Sequence, residues 1–210
     1  MSHLLHITAS PDPDTAHSAG VARELLAAYQ ARHPAHAITT LDLWGTTLPE
    51  FDATMIAAKF AVLRTQEASA GQQARWAEAV AISAAFNAAD RYVFSLPMWN
   101  FGIPYRLKHY IDIVTLPGQN WSWSRAQGYR PLLSGKRAVL VYSSAGDFPV
   151  PPPPDGYADF QKPFMRQWLR FLGIEVVDEI VVAPTLTDPD RLAQIRDTGL
   201  RHARAAALAL

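Results

Sequence analysis

The sequence predicts an α/β protein: a doubly wound sheet of five parallel strands with helices on both faces. Three observations lead there. Short β-branched or aromatic apolar runs alternate with segments of helical period along the whole chain. The central runs, Tyr92 to Pro97 and Ala138 to Tyr142, have almost no polar alternation, as expected of parallel strands buried on both faces. No linker, repeat or shift in composition interrupts the 210 residues, so the chain reads as a single domain over 1–210.

The elements follow in order. Leu4 to Thr8 is a strand, ended by the turn formers Ala9-Ser10-Pro11-Asp12-Pro13-Asp14. A helix runs from about Ser18 to His33, with Val21, Leu25, Ala28 and Tyr29 on its apolar side. Ile38 to Leu43 is the second strand. Leu48-Pro49 breaks structure, and Met55 to Val62 suits a short helix. Ala70 to Ala88 is an alanine-rich helix, and Tyr92 to Pro97 the next strand. Pro104 suits the first turn of a helix whose Leu107, Tyr110, Ile111 and Val114 form a stripe. Gly118 to Ser134 is expected to be a long loop carrying Trp121, Trp123 and Tyr129. After the strand Ala138 to Tyr142, the prolines at 149 and 151–154 form a stiff surface loop. A helix with Phe160, Phe164, Trp168 and Leu172 follows and is stopped by Gly173. Val176 to Val182 is the last strand, and Pro189 to Leu208 the last helix, capped by Asp188.

Composition removes several classes of function. Nineteen basic and nineteen acidic residues cancel, which gives no electrostatic basis for a nucleic-acid partner or an anionic membrane. With no cysteine there is no disulfide, thiol catalysis or Cys-based metal site. The apolar runs are too short for membrane insertion, and the N-terminus lacks the pattern of a secretory signal. A cytoplasmic location is therefore expected. His3, His6, His33 and His36 fall in strands or at helix ends, no His-x-x-x-His pair lies on a helix, and no GxSxG elbow is present. Neither a metal site nor a side-chain nucleophile is expected, which leaves the chemistry to a cofactor.

In an open parallel sheet, ligands bind beyond the carboxyl ends of the strands, where the strand order reverses. Three loops leave such ends. The first carries Ser10, Thr15, His17 and Ser18 ahead of a helix. Hydroxyls and free amides at a helix N-terminus suit a phosphate, although Ser18 or Thr15 could simply cap the helix. It has neither GxGxxG nor GxxxxGK. The second loop, Met98-Trp99-Asn100-Phe101-Gly102, sets one amide among flat apolar groups. That suits a flat heterocycle with polar edges, or else packing under the next helix. The third, Ser143-Ser144-Ala145-Gly146, offers small residues and exposed amides that suit a developing negative charge, or an ordinary turn.

With these loops in place, the chain resembles the FMN-dependent NADH-azoreductases, flavodoxin-like NAD(P)H:quinone oxidoreductases. Pro97-Met98-Trp99-Asn100-Phe101 is similar to the family's Pro-Met-Tyr-Asn-Phe, and Leu107-Lys108-His109-Tyr110-Ile111-Asp112 follows it. Asp42-Leu43, Leu48-Pro49 and Asp52 fall on a similar family run. Trp121, in Asn120-Trp121-Ser122-Trp123, takes the place of a family aromatic beside the substrate pocket. Phe171-Leu172-Gly173-Ile174 matches the segment before the last strand. The departures are Ala16-His17-Ser18 for Ser-x-Ser, Ser143-Ser144-Ala145-Gly146 for Ser-Arg-Gly-Gly, and Trp99 for Tyr. They remove two hydroxyls, one glycine and one arginine.

The resemblance implies FMN held by Ser10, His17, Ser18, Met98, Trp99, Asn100, Phe101, Ser143, Ser144, Ala145 and Gly146, with Trp121 in the substrate pocket. It implies ping-pong electron transfer from NADH or NADPH to quinones and aromatic azo compounds, centred on the flavin with no catalytic side chain. It also implies a homodimer. Two alternatives share the fold: an NADPH:FMN reductase, and a flavin-binding regulatory subunit.

Overall fold

A computed structural model describes residues 2–63, 68–149 and 151–210. Strands β1 (His3–Thr8), β2 (Ala37–Asp42), β3 (Arg91–Pro97), β6 (Lys136–Ser143) and β7 (Ile174–Val182) form one parallel sheet in the order β2-β1-β3-β6-β7. The order reverses beside β1, between β1 and β3, the switch point at whose carboxyl ends an open parallel sheet binds its ligand. The doubly wound expectation holds.

Helices α1 (His17–Arg32) and α6 (Pro189–Ala206) cover one face. Their Val21, Leu25, Tyr29 and Ala203 pack on Leu4, Val93, Val139 and Val141. On the other face lie α2 (Ala53–Leu63), α3 (Ala70–Asn87), α4 (Tyr105–Val114) and α5 (Gln161–Leu172). Phe86, Leu107, Ile111 and Leu169 pack there on Ile7, Tyr92, Phe94 and Leu140. The alternation of strand side chains between these two clusters is what fixes the strand registers.

Several expected end signals act as read. Asp188 caps α6, accepting the Arg191 amide at 2.9 Å. Gly173 ends α5 at φ +90°, where a Cβ would come within 2.1 Å of the Leu133 carbonyl oxygen. The expected loop over Gly118–Ser134 needs correction. It contains an antiparallel hairpin of β4 (Trp121–Ser124) and β5 (Gly128–Pro131), with Trp123 opposite Tyr129. The Trp-Ser-Trp-Ser alternation encodes the first strand, and Gly128 at φ +65° completes the three-residue connection.

Candidate functional site

The three loops expected to meet do leave adjacent strands at one edge of the sheet. The Ala9 amide donates to the Ser95 carbonyl at 2.9 Å, and the Met98 amide to the Ser143 carbonyl at 2.7 Å. These two bonds extend the parallel ladders and lock the loop origins side by side.

The first loop is stapled internally. Asp12 accepts the Thr15 hydroxyl at 2.6 Å, which draws its carboxyl below the ordinary range, and Arg23 donates to the Pro13 and Asp14 carbonyls at 2.8 and 3.1 Å. The Ser10 hydroxyl makes only long contacts to Asp12, at 3.3 and 3.4 Å. The start of α1 does not follow the capping alternative. Its cap residue is Ala16, which has no side chain to offer, and Thr15 is taken up by Asp12. Three buried polar atoms lie near this end without a hydrogen-bond partner among the described residues: Ser18 Oγ, His17 Nδ1 and Thr8 Oγ1. The first-turn amides of a helix have no acceptor within the helix, and the dipole adds partial positive charge. Burial, with a smaller contribution from Arg196, lowers the His17 pKa, so this imidazole is neutral in the unliganded protein at pH 7. Uncapped amides and an orphaned hydroxyl are the donor set a phosphate monoester requires.

The second loop is a tight turn. Trp99 and Gly102 exchange both backbone hydrogen bonds at 3.0 Å, leaving Asn100 at φ +48° and Phe101 at φ +69°. Left-handed backbone suits Asn and is costly for Phe. Gly102 is not left-handed, and a Cβ there would meet the Trp99 carbonyl oxygen at an ordinary 3.8 Å. The turn exposes Asn100 and part of the Phe101 ring, which stacks on Tyr157 at 5.3 Å and meets Phe148 edge-on at 5.8 Å.

The third loop is tied to the end of β7. Thr185 and Leu186 amides donate to the Ser144 and Ala145 carbonyls at 2.9 and 3.1 Å, and the Ser144 hydroxyl donates to the Gly146 carbonyl at 2.7 Å. Ala145 has no positive φ, so this loop folds without glycine at that position. Gly146 leaves room for the Phe148 ring, 3.3 Å from where a Cβ would stand.

Beside the turn lies an open cleft of about 880 Å³, with Phe51, Trp99, Asn100, Tyr105 and Arg106 in its walls. Ser10, His17, Ser18 and Ser143 to Gly146 are not among its lining residues. Trp121 lines an adjoining recess of about 370 Å³ that shares Phe51 and Asp112 with the cleft. Its ring packs 5.6 Å from both Tyr129 and Phe171, and its indole Nε1 is buried without a partner among the described residues.

Sequence reasoning missed two supports. Trp44, immediately after β2, donates its indole N–H to the Ala9 carbonyl at 3.0 Å and packs 5.7 Å from Trp99 and 5.3 Å from Tyr105. The strand-end rule applied to the fourth parallel strand, β2, would have found it. Arg106 binds the Leu43 carbonyl through Nε and Nη2 at 3.0 and 2.7 Å, and the Thr46 carbonyl at 2.6 Å. It fastens that wall to α4.

Comparison with known proteins decides the family. A family model for the flavodoxin-like fold matches residues 2–207. An FMN-dependent NADH:quinone oxidoreductase of Desulfotalea psychrophila is 40% identical, over 90% of this chain and 88% of its own. The chain belongs to the FMN-dependent NADH:quinone oxidoreductase family. Another member, from Bradyrhizobium diazoefficiens, is 36% identical over 97% of both chains. The fold is shared with an azoreductase of Bacillus anthracis at TM-score 0.89, with 24% identity and full coverage of both chains. It is shared too with a B. anthracis FMN-dependent NADH-azoreductase solved with FMN, at TM-score 0.85 and 24% identity over 100% of this chain and 99% of that one. In this chain the uncapped α1 terminus follows β1 and the Trp99–Gly102 turn follows β3, the two strands between which the strand order reverses.

Proposed function

We propose that this oxidoreductase binds FMN non-covalently, about one per chain, and passes electrons from NADH to quinones and aromatic azo compounds by a ping-pong mechanism. The observation that carries the reading is the orphaned Ser18 hydroxyl at an uncapped helix N-terminus, next to an Asn-bearing aromatic turn at the switch point. When bound, FMN would supply the redox chemistry: it accepts hydride from the donor and returns the electrons to the acceptor.

The chain's own residues bind and orient. Ser10, His17, Ser18 and the first-turn amides of α1 would hold the phosphate. Met98, Trp99, Asn100 and Phe101 would hold the ring, with Asn100 hydrogen-bonding its polar edge. The amides of Ser143 to Gly146 would face the side of the ring that becomes negative on reduction. Trp121 would form an acceptor wall. NADH is favoured over NADPH because the basic side chains lining the cleft are already engaged. Arg106 binds two carbonyls, Lys108 pairs with Asp112 at 2.6 Å, and His109 Nε2 lies 2.9 Å from the Pro49 carbonyl oxygen. A 2′-phosphate would find none of these three free. A homodimer accords with the exposed Val62 on α2 and Trp123 on the hairpin, which line one recess.

The test is titration of flavin-free protein with FMN, followed by anaerobic addition of NADH and then a quinone. Quenched flavin fluorescence, bleaching at the flavin band by NADH and its return with quinone are expected. Unchanged flavin fluorescence would overturn the cofactor assignment. Bleaching that no quinone or azo dye reverses would favour a regulatory subunit.

A further inference from the structure

The Asn100–Phe101 turn is strained, so something outside it must hold it. Both of its flanks are held from the start of α5. The Phe101 carbonyl accepts the Phe160 amide at 2.9 Å, and the Pro97 carbonyl accepts Gln161 Nε2 at 2.7 Å. Gln161 is 1% exposed although it stands in the first turn of a helix, where glutamine is ordinarily solvated. Its backbone is fixed in turn. Asp159, also buried, accepts the Gln161 and Lys162 amides through Oδ1 at 2.7 and 3.0 Å. Lys162 Nζ lies 2.7 Å from Asp159 Oδ2 as an ion pair and 3.4 Å from the Phe148 carbonyl, in the segment that follows the third loop. Asp159 takes the Gln161 and Lys162 amides and the Phe101 carbonyl takes that of Phe160, so the helix start is satisfied. The side chain of Gln161 is not needed there and reaches instead to a residue 64 positions earlier.

We propose that Gln161 is a positioning residue for the cofactor: its side-chain amide holds the Pro97 carbonyl so that Met98 to Phe101 keep the shape in which they receive the flavin. The inference rests on the FMN reading above. The amide makes no contact with the cofactor in this scheme and acts only through the Pro97 carbonyl. Since Pro97 has no N–H and its carbonyl is the last of β3, this bond is the hinge between a rigid strand and a strained turn.

Two variants test it. Gln161→Met keeps the length and apolar stem but deletes the donor, leaving a buried carbonyl unpaired. FMN affinity is expected to fall roughly tenfold, about 1.4 kcal/mol, while the flavin-free protein keeps its wild-type circular dichroism and its thermal midpoint drops by only roughly a few degrees. Gln161→Glu sets a carboxylate against the carbonyl at neutral pH and restores a donor when protonated. Its FMN affinity relative to wild type should therefore recover as pH falls from 8 to 5. A purely structural role predicts neither the selective loss nor the recovery. Should Gln161→Met fail to fold, Gln161→Glu carries the test within one protein. Equal FMN affinity in a folded Gln161→Met variant, or a Gln161→Glu deficit that ignores pH, would overturn the inference and leave the FMN reading standing. Failure of the wild type to take up FMN would overturn both.

Discussion

Replacing Phe101 by glycine and by alanine gives a test of the turn that does not depend on any ligand. Both variants lose the same ring, with its contacts to Tyr157 and Phe148. They differ only in a Cβ at a residue with φ +69°. At an ordinary position alanine is the more stable of the two by about 0.4–1 kcal/mol, because glycine's unfolded chain has more freedom to lose. At a left-handed position the Cβ costs about 1–2 kcal/mol. The middles of the two ranges sum to a reversal, with Phe101→Gly more stable than Phe101→Ala by about 0.8 kcal/mol. Urea denaturation of the flavin-free proteins, with equal m-values, measures the difference through the midpoints. Against wild type both should be destabilised, since each lost aromatic pair is worth about 0.5–1.5 kcal/mol. Alanine equal to or above glycine would refute the strain, and with it the argument that the turn must be held from outside.

Four further outcomes are expected. Ser18→Ala should weaken FMN by about 1.5–3 kcal/mol, the value of a hydrogen bond to a charged group, and leave riboflavin nearly unaffected. Because Ser18 Oγ has no partner among the described residues, the stability of the flavin-free protein should not fall. Asn100→Gly tolerates φ +48° and isolates the side chain; a loss of about 1–3 kcal/mol in FMN affinity is expected, and an unchanged dissociation constant would remove the ring-edge role. Burial, helped by Arg23, lowers the His6 pKa to about 4 from 6.5. The unfolded chain then binds more protons between those values, so stability is complete above pH 6.5 and falls by about 3 kcal/mol as pH drops towards 4; His6→Gln should flatten that slope in pH-dependent denaturation. Trp121→Ala should raise the acceptor KM about fivefold, from about 1 kcal/mol of lost stacking, and change the NADH KM less; dissociation on gel filtration would instead place Trp121 in a subunit interface.

What could be read in the sequence was what neighbouring residues decide. The stripe Leu107, Tyr110, Ile111 and Val114 is buried as its spacing demands, and Gly173 and Asp188 end and begin helices for local reasons. The positions of the three loops were also legible, because each leaves a buried parallel strand. The hairpin at 121–131 was not, since each strand has only four residues, the shortest run in which alternation is detected, and the second, Gly128-Tyr129-Arg130-Pro131, begins and ends in strand-poor residues. The start of α1 was read with a hydroxyl cap available. The structure commits Thr15 to Asp12 and leaves Ser18 unused, a choice that depends on which carboxylate lies within reach. Trp44 and Gln161 act through carbonyls 35 and 64 residues away, and no local pattern encodes such a partner.

Arg106 addresses the wall of the cleft through main-chain oxygens alone. A clasp of that kind is blind to the identity of the residues it grips, in the way a hinge pin is blind to the colour of the door. The stretch of Glu50 and Phe51, which already reaches the cleft, can therefore be diversified while its path stays anchored at Leu43 and Thr46 and Leu48 keeps its place in the core. A combinatorial library confined to that stretch would explore acceptor range with the loop origins and the turn left intact.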